Sequence, residues 1–227
     1  MSNKDERWTK QYFLNDKKVQ QQKLLNIFQL FWLTETDKVY FIKDAQYQRD
    51  TINRIICYFE PKLFSFLSRY TILRREKRRI LQSSKDISWL VSLDKQLFDI
   101  GRTIIEIKKK FLFEYQNFVS DNNSLFFEFE IKPSFGFIET DRFLEKFQKD
   151  LSDENQWPND HKLQSQHDPK KSVFEISHNQ KNISQLSSAQ SKMLILSLLL
   201  SCAKFLNRNK ITIFLIDEIF DNFDMMN

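Results

Sequence analysis

The strand-like sequence Ile-Thr-Ile-Phe-Leu-Ile-Asp-Glu at residues 211–218 and the turn Leu-Ser-Ser-Ala-Gln at residues 186–190 decide the fold of this chain. Residues 211–216 are an apolar run rich in β-branched side chains, which predicts a strand covered on both faces. Residues 191–205 carry large apolar side chains around most of a helical circumference, which predicts a largely buried helix. The order of turn, helix and strand predicts an α/β (α+β) fold.

Three small side chains, Ser187, Ser188 and Ala189, come directly before the predicted helix, and Gln190 follows them. The free N–H groups and the positive dipole end of a helix can hold an anion. Small residues there let a phosphate group come close. A turn of this composition is common, so on its own it is weak evidence for an anion site.

Two carboxylates, Asp217 and Glu218, end the predicted strand, and a short acidic loop with Asp221 and Asp224 follows. Ligands of α/β sheets bind at the carboxyl ends of the strands. One carboxylate can hold Mg²⁺ through water, and the other can polarise an attacking water. A strand followed by Asp-Glu also occurs by chance in many proteins. The succession of turn, helix, strand and acidic loop is what favours a nucleotide site.

The composition of the 227 residues is that of one domain, or of one domain with a helical arm. The hydrophobic fraction is 41% with 23 Phe, which suffices for a core, and the net charge of +5 is compatible with nucleic acid without being diagnostic. Cys57 and Cys202 lie in apolar helical stretches and are expected to be reduced core thiols of a cytoplasmic protein. No apolar run is expected to span a membrane.

Glycine is nearly absent, since Gly101 and Gly136 are the only two. A Gly-x-x-x-x-Gly-Lys-[Ser/Thr] phosphate loop therefore does not occur in these 227 residues. If the chain belongs to a nucleotide-binding protein, we expect that it starts inside a longer one. Leading strands that are missing would leave an open sheet edge and exposed apolar faces.

The middle of the chain is predicted to be helical from Ala45 to about Val119 and to form an antiparallel arm. The predicted helices cover 45–60 and 62–82, and a third begins near Asp86 or Ser88. The second helix carries the densest basic run of the chain: Arg74, Arg75, Lys77, Arg78 and Arg79. Two interpretations stay open, a solvated helix face or a contact with nucleic-acid phosphates that depends steeply on salt.

The remaining elements follow from local periodicity. They are strands at 7–14, 31–33, 124–138 and 173–176, helices at 18–31 and 141–150, and a loop at 152–171. Thr34 to Asp37 is expected to be a surface turn, or less simply a ligand loop. His161 and His167 are not expected to form a metal site. The predicted domains are a partial head at 1–44, a helical arm at 45–120 and a second part of the head at 121–227.

The order of the C-terminal motifs resembles that of ABC-type ATPases. Leu186 to Gln190 stands where that family has its Leu-Ser-Gly-Gly-Gln signature, Asp217-Glu218 is similar to the end of the Walker B strand, and Asp221 to Asp224 is similar to the D-loop. Ser188 and Ala189 replace the two glycines. Alanine there weakens a phosphate contact if the backbone needs a positive φ.

Within these ATPases the chain resembles the RecF family of DNA replication and repair proteins, whose head is similar to that of Rad50 and SMC proteins. The similarity runs in the family's order from about residue 8. The blocks that correspond are Phe31-Trp32-Leu33-Thr34, Arg49 with Ile52, Asn53 and Arg54, Phe59-Glu60-Pro61, Tyr70 with Arg75, Glu76 and Lys77, Trp89 with Leu93, Leu97 and Gly101, and His167. Glu35, Gln48 and Asn53 depart from the family pattern.

The resemblance implies the C-terminal part of an ATP-dependent, dimerising protein that binds single-stranded and double-stranded DNA and acts with recombination mediator proteins. ATP and Mg²⁺ would lie between two heads, in a homodimer or with a complementing N-terminal half. Carried over, Asp217 would hold Mg²⁺ and Glu218 would be the general base. Ser187, Ser188, Ala189 and Gln190 would face the γ-phosphate of the partner head, Asp224 would lie at the interface, and His167 is a weaker candidate. DNA would be bound by Arg74, Arg75, Lys77, Arg78 and Arg79.

Two alternatives of other classes remain. The first is a non-catalytic helical module that binds DNA or protein and carries an acidic remnant at its C-terminus. The second, weaker alternative is a metal-dependent nuclease that uses Asp217, Glu218, Asp221 and Asp224.

Overall fold

The computed structural model describes residues 11–83, 87–122, 129–133, 140–156, 167–171, 174–207 and 210–217. The helices in these ranges are α1 (Gln21–Leu25), α2 (Glu35–Lys43), α3 (Ala45–Phe59), α4 (Lys62–Ser83), α5 (Ile87–Asp121), α6 (Thr140–Gln156) and α7 (Ser188–Leu206). The strands are β1 (Tyr12–Leu14), β2 (Lys17–Val19), β3 (Phe28–Leu33), β4 (Glu130–Pro133), β5 (Phe174–His178), β6 (Lys181–Asn182) and β7 (Ile211–Ile216). This mixture confirms the α+β class.

The strands form three small sheets in the described ranges. β1 and β2 are an antiparallel hairpin whose two turn residues, Asn15 and Asp16, both have positive φ. Asn and Asp tolerate that conformation better than most residues do. β4, β5 and β6 form an antiparallel sheet. The third sheet pairs β3 with β7 in parallel, from Phe28 opposite Ile211 to Leu33 opposite Ile216.

Helix α7 packs on one face of the β3–β7 sheet. Phe31 is 1% exposed there, and Gln29 donates from Nε2 to the carbonyl of Ala203 on α7. The opposite face of β7 is open in the part of the chain that the structure describes, with Ile211, Ile213 and Leu215 exposed by 63%, 41% and 56%. The prediction of a strand covered on both faces is therefore wrong for β7, because a helix covers only one side of it.

The arm is an antiparallel pair of long helices, as predicted. Lys77 on α4 bonds to Asp94 on α5, at nearly equal distances from the connection between the two helices. With 35 residues, α5 is about 50 Å long and extends well past the start of α4. Its second half packs on α7, where the Tyr115 hydroxyl lies 2.5 Å from that of Ser201.

Three local predictions are wrong. Residues 18–31 are not one helix but the strand β2, the five-residue helix α1 and the start of β3. Residues 34–37 are not a turn, because Thr34 caps α2, which begins at Glu35. The loop predicted at 152–171 is wrong for residues 152–156, which belong to α6, and Leu151 and Glu154 of this helix are buried; residues 157–166 lie outside the described ranges.

Helix α7 also corrects the expectation about membrane-length runs. Among the helices described, α7 alone is long and apolar enough to cross a membrane. However, 67% of its most apolar window is buried inside the fold. The buried side chains include Leu194, Leu198 and Phe205 as well as Ser197 and Ser201. Its apolar character is therefore explained by its place in the protein core.

One cluster of buried side chains contains residues from all three predicted segments, for example Phe31, Ile104 and Leu194. The boundaries at residues 44 and 120 stay predictions.

Candidate nucleotide and nucleic-acid sites

Residues 187–190, which we call the signature-like turn, lie at the surface at the beginning of α7. Ser187 is the N-cap, where its hydroxyl accepts from the N–H of Gln190 at 3.2 Å. The Gln190 side chain in return accepts from the N–H of Ser187 at 3.1 Å. This reciprocal capping box fixes the backbone, while the N–H groups of Ser188 and Ala189 have no acceptor within the helix. All four residues are exposed and therefore accessible to a ligand or a partner.

Alanine at position 189 brings no backbone strain in this structure. Among the residues that the structure describes, positive φ occurs outside glycine only at Asn15, Asp16, Asn179 and Gln180. Ala189 lies in the first turn of a regular helix. The concern that replacing glycine weakens the site through its backbone therefore does not apply to this conformation.

The first turn of α7 is anchored to α2 by a buried lysine. Lys38 is 6% exposed, and its Nζ donates to the Ser188 hydroxyl at 3.1 Å and pairs with Glu35 one turn earlier. Lys192 on α7, which is 7% exposed, lies 3.6 Å from the same Glu35 carboxylate. The hydrogen bond from Lys38, with further attraction from both lysines, lowers the pKa of Glu35.

A second network fixes the start of α2, at the end of β3. Asp37 accepts from the N–H of Thr34 at 3.0 Å and from its hydroxyl at 2.8 Å, and also accepts a short hydrogen bond from Tyr47. Burial opposes ionisation of Asp37, but these bonds outweigh it and lower its pKa. Burial and the bond to Asp37 raise the pKa of Tyr47 to about 12, so Tyr47 remains a donor.

Asp217 follows β7 at the same edge of the sheet. Its N–H donates to the carbonyl of Leu33 at 3.1 Å, which places Asp217 beside the residue that precedes the Thr34 cap. The side chain is exposed. Asp217 can thus supply one carboxylate at the carboxyl ends of two parallel strands, the position that the sequence predicts.

The other acidic candidates, Glu218, Asp221 and Asp224, lie outside the described residues, as does His161. Within the described ranges no group of three or more His, Cys, Asp or Glu side chains is close enough to hold a metal ion. Mg²⁺ is commonly bound by one or two carboxylates, with phosphates and water completing its shell. Asp217 fits the part of a single ligand.

His167 has partners within its own part of the fold. Its N–H donates to Asp150 at 3.0 Å, its Nδ1 lies 3.1 Å from the same carboxylate, and its ring packs edge-on against Phe143. Both partners belong to α6, whereas Ser188 is held by α2. A nucleotide-binding role for His167 stays a prediction.

The basic run of α4 is divided by the structure into inward and outward residues. Lys77 is 1% exposed, lies 2.6 Å from Asp94 and 3.3 Å from Glu154, and donates to the carbonyl of Leu151. Arg74 forms a two-pronged pair with Glu154 at 2.7 and 2.8 Å. These two cations join α4 to α5 and α6. Arg75, Arg78 and Arg79 are exposed.

Sequence reasoning missed the two anchors Lys38 and Lys192 and the internal use of Lys77. Glu35 and Lys38 have the spacing of an ion pair on a helix, so that contact had a local signal. The partners of Lys77 and Lys192 lie far along the chain, and no local pattern indicates them.

No family model matches the chain. The RecF protein of Rickettsia massiliae is 25% identical over an alignment of 228 positions, which covers 92% of this chain and 61% of that protein. RecF of Rickettsia conorii is 26% identical over 108 residues, 47% of this chain. The chain thus spans about three-fifths of the length of the first of these relatives.

Solved structures show the same fold. The structure of the recombination mediator protein RecF-ATP in the RecFOR pathway superimposes with a TM-score of 0.75 at 17% identity, covering 96% of this chain and 63% of that one. RecF-ATPrS of the same pathway gives 0.71 at 18% identity over 92% of this chain. The resemblance found in the sequence is confirmed: the chain is similar in sequence to RecF proteins along most of its length and has the fold of the corresponding part of RecF structures.

Proposed function

We propose that the chain supplies the signature side of an ATP-dependent, DNA-binding repair protein of the RecF type. The observation that carries this proposal is the first turn of α7. Its four residues are exposed, its backbone is fixed by a reciprocal cap, and a buried lysine holds Ser188 from behind. A phosphate group at a helix N-terminus is bound by such free N–H groups and by the helix dipole.

In this proposal Ser187, Ser188, Ala189 and Gln190 contact the γ-phosphate of a nucleotide held by a second head. ATP supplies the binding energy that joins the two heads. On this chain's own head, once a phosphate loop completes it, Asp217 would hold Mg²⁺ and Glu218 would be the general base. Asp224 lies at the interface between the heads.

The phosphate loop would come from outside these 227 residues, from a complementing N-terminal half or from the partner head of a homodimer. The open face of β7 supports this part of the proposal, because Ile211, Ile213 and Leu215 offer an apolar surface to another unit. Within the cytoplasm such a complex would act on single-stranded and double-stranded DNA with recombination mediator proteins.

Burial raises the pKa of both Cys57 and Cys202 to about 12, so these thiols are unreactive and play no part in the proposed function.

A direct test measures ATP binding by calorimetry on three samples. The first is the chain alone, the second a mixture with the part of the Rickettsia massiliae protein that lies outside the match, and the third the same mixture with Ser188→Arg. We expect saturable binding in the second sample only. Binding by the chain alone at millimolar ATP, or equal binding with Ser188→Arg, contradicts the proposal.

The second candidate function is a non-catalytic module that binds DNA or protein through its helical arm. The exposed cations Arg75 and Arg78 on that arm favour it. In that case the mixture binds no ATP and DNA affinity is independent of nucleotide. A fluorescence-anisotropy titration of labelled duplex DNA, with and without ATP, separates the two functions.

A further inference from the structure

A basic cavity of about 270 Å³ lies between α3, α4 and the segment 167–171. Six cationic side chains line it: Arg49, Arg74, Arg75, Arg78, Lys170 and Lys171. Asp168 is the single acidic side chain in its lining. The cavity belongs to neither the signature turn nor the end of β7, and no step of the proposed nucleotide chemistry uses it.

The segment that closes this cavity is fixed from below. Lys108, fully buried on α5, donates from Nζ to the carbonyls of Pro169 and Lys170 at 2.9 and 3.3 Å. Asn53 on α3 donates to the same Lys170 carbonyl at 3.4 Å. The Lys170 ammonium in turn donates to the Thr71 hydroxyl at 3.1 Å. The cationic side chains are thus mounted on three anchored elements rather than on a free loop.

Part of the charge is already used inside the fold. Arg74 is paired with Glu154, and attraction to Glu154 and Asp168 contributes to raising its pKa. Asp168 is 9% exposed and accepts from the N–H of Lys170 at 2.8 Å. Asp168 and Glu154 balance two of the six cations, so a positive charge that includes Arg49, Arg75 and Arg78 remains at the cavity.

Two residues that line this cavity each carry a buried polar atom without a hydrogen-bond partner among the residues that the structure describes. The first is Nε of Arg49, whose Nη2 alone is bonded, to Gln46 at 3.1 Å. The second is the hydroxyl of Tyr70, a side chain only 1% exposed that lies beside Asp168 without ordinary hydrogen-bond geometry to it. Burial raises the pKa of Tyr70 well above its usual value, so the hydroxyl keeps its proton and can donate. Unsatisfied buried donors are costly unless a ligand satisfies them.

We propose that this cavity is a binding site for one phosphate group, held by Arg49, Arg75 and Arg78 with the Tyr70 hydroxyl as a donor at its base. A phosphate has enough acceptor oxygens for all four, and guanidinium forks match its geometry. The phosphate can come from a nucleic-acid backbone or from a free phosphorylated small molecule. The first source deepens the DNA-binding part of the proposed function, and the second is independent of it.

The test titrates the intact chain with inorganic pyrophosphate by calorimetry at low salt. The variants are Arg49→Ala, the double variant Arg75→Ala with Arg78→Ala, and Tyr70→Phe. Arg69→Ala is the matched control, because Arg69 is exposed on the same helix and does not line the cavity. We expect each cavity variant to weaken binding about tenfold or more, the scale of a hydrogen bond to a charged group, and the control to bind like the wild type.

Tyr70→Phe separates a binding role from a structural one. Removing an unpartnered buried hydroxyl leaves the unliganded protein as stable as before or more so, whereas it removes a donor to the bound phosphate. We therefore expect weaker pyrophosphate binding with an unchanged or higher urea midpoint. Lower stability with unchanged binding would assign Tyr70 to the core alone and contradict its place in the site.

Labelled duplex DNA identifies the source. If pyrophosphate displaces the duplex and the variants weaken both ligands, with the salt slope reduced by about one per lost phosphate contact, the phosphate belongs to nucleic acid. If the variants weaken pyrophosphate but not DNA, it belongs to a small molecule. If Arg49→Ala and the double variant change neither, the site is overturned. None of these titrations contains ATP, so failure here is distinct from failure of the signature side.

Discussion

Lys38 on α2 donates from Nζ to the hydroxyl of Ser188 on α7 at 3.1 Å. Through this bond α2, which starts at the end of β3, contacts the first turn of α7, where the signature-like residues 187–190 lie. The buried Lys38 ammonium therefore connects the carboxyl end of the sheet to the signature-like turn through the packed helices α2 and α7.

The first prediction concerns that bond. Lys38→Met leaves Ser188 unanchored and Glu35 with Lys192 as its remaining cation, so we expect a loss of about 1–3 kcal/mol in the free energy of unfolding. Urea unfolding followed by circular dichroism measures it. Lys43→Met, at an exposed position of the same helix, is the control and should change stability by less than about 0.5 kcal/mol. Equal stability of the two variants would show that the anchor contributes nothing.

The second prediction separates the inward from the outward cations of α4. Lys77→Met leaves the buried Glu154 and the half-buried Asp94 short of one cation, and we expect a cost of about 3–5 kcal/mol. Arg75→Met, two residues earlier and exposed, should leave the urea midpoint unchanged. If the two variants unfold at the same urea concentration, the buried network does not stabilise the arm.

The third prediction concerns Gly101, where three elements meet. A Cβ there would lie 2.6 Å from Cε1 of Phe147 and 2.9 Å from Cγ of Pro169. In a free helix Gly→Ala is worth about 1 kcal/mol of stabilisation, but overpacking costs about 1–3 kcal/mol, so we expect a net loss. Thermal unfolding decides the sign.

Phe147→Leu tests the cause of that loss. In the double variant with Gly101→Ala the two costs should be coupled by about 0.5 kcal/mol or more, because the shorter side chain makes room for the new methyl group. Strict additivity would place the strain elsewhere.

The fourth prediction concerns the pH dependence of stability. Burial lowers the pKa of Lys108 from its usual value of 10.5 to about 7 in the folded protein; attraction to Asp168 and Cys57 opposes this shift, and repulsion from Lys170 and Arg49 adds to it. Between these two values the unfolded chain binds the extra proton, so stability rises with pH, by up to about 1.4 kcal/mol per pH unit. Below pH 7 Lys108 is protonated in both states, and its contribution is flat.

Urea midpoints from pH 6.5 to 9.5 measure this dependence. Lys108→Met should remove most of the rise, whereas Lys109→Met, exposed on the same helix, should keep it. A wild-type profile without a rise above pH 7 would mean that Lys108 stays protonated.

The fifth prediction concerns the open face of β7. The isolated chain should associate as its concentration rises, since exposed apolar side chains on a sheet face attract one another. Ile213→Lys should lower this association in sedimentation experiments. Phe113→Lys is the control and should not, because this exposed phenylalanine of α5 has only polar residues at positions 109, 110, 116 and 117, one turn away.

The sequence predicted the long elements well and the short ones poorly. Helices α3, α4 and α5 follow from periodicity because each is long enough for its pattern to be unambiguous, and strand β7 follows from its run of apolar and β-branched side chains. The segment 18–31 failed because Val19, Leu24, Leu25, Phe28 and Phe31 have helical spacing by coincidence, although they belong to two strands and a five-residue helix. Strand β3 is marked by a period of two, with Gln29, Phe31 and Leu33 buried in alternation.

Burial of individual side chains was the harder part of the prediction. A basic run is usually solvated, and nothing near Lys77 in the sequence indicates that Asp94 and Glu154 enclose it. The apolar composition of β7 indicates a strand but not how many of its faces are covered, because the covering elements are set by the tertiary fold. Ser187 and Gln190, in contrast, have the spacing of a capping box, and their geometry follows from four consecutive residues.

Helix α5 contacts both ends of the molecule without interruption. Near its first turns Asp94 holds the ammonium of Lys77, and near its last turns Tyr115 lies against Ser201 in the protein core. Because α5 is one unbroken helix of 35 residues, we expect a displacement of its first turns to reach the contact between Tyr115 and α7.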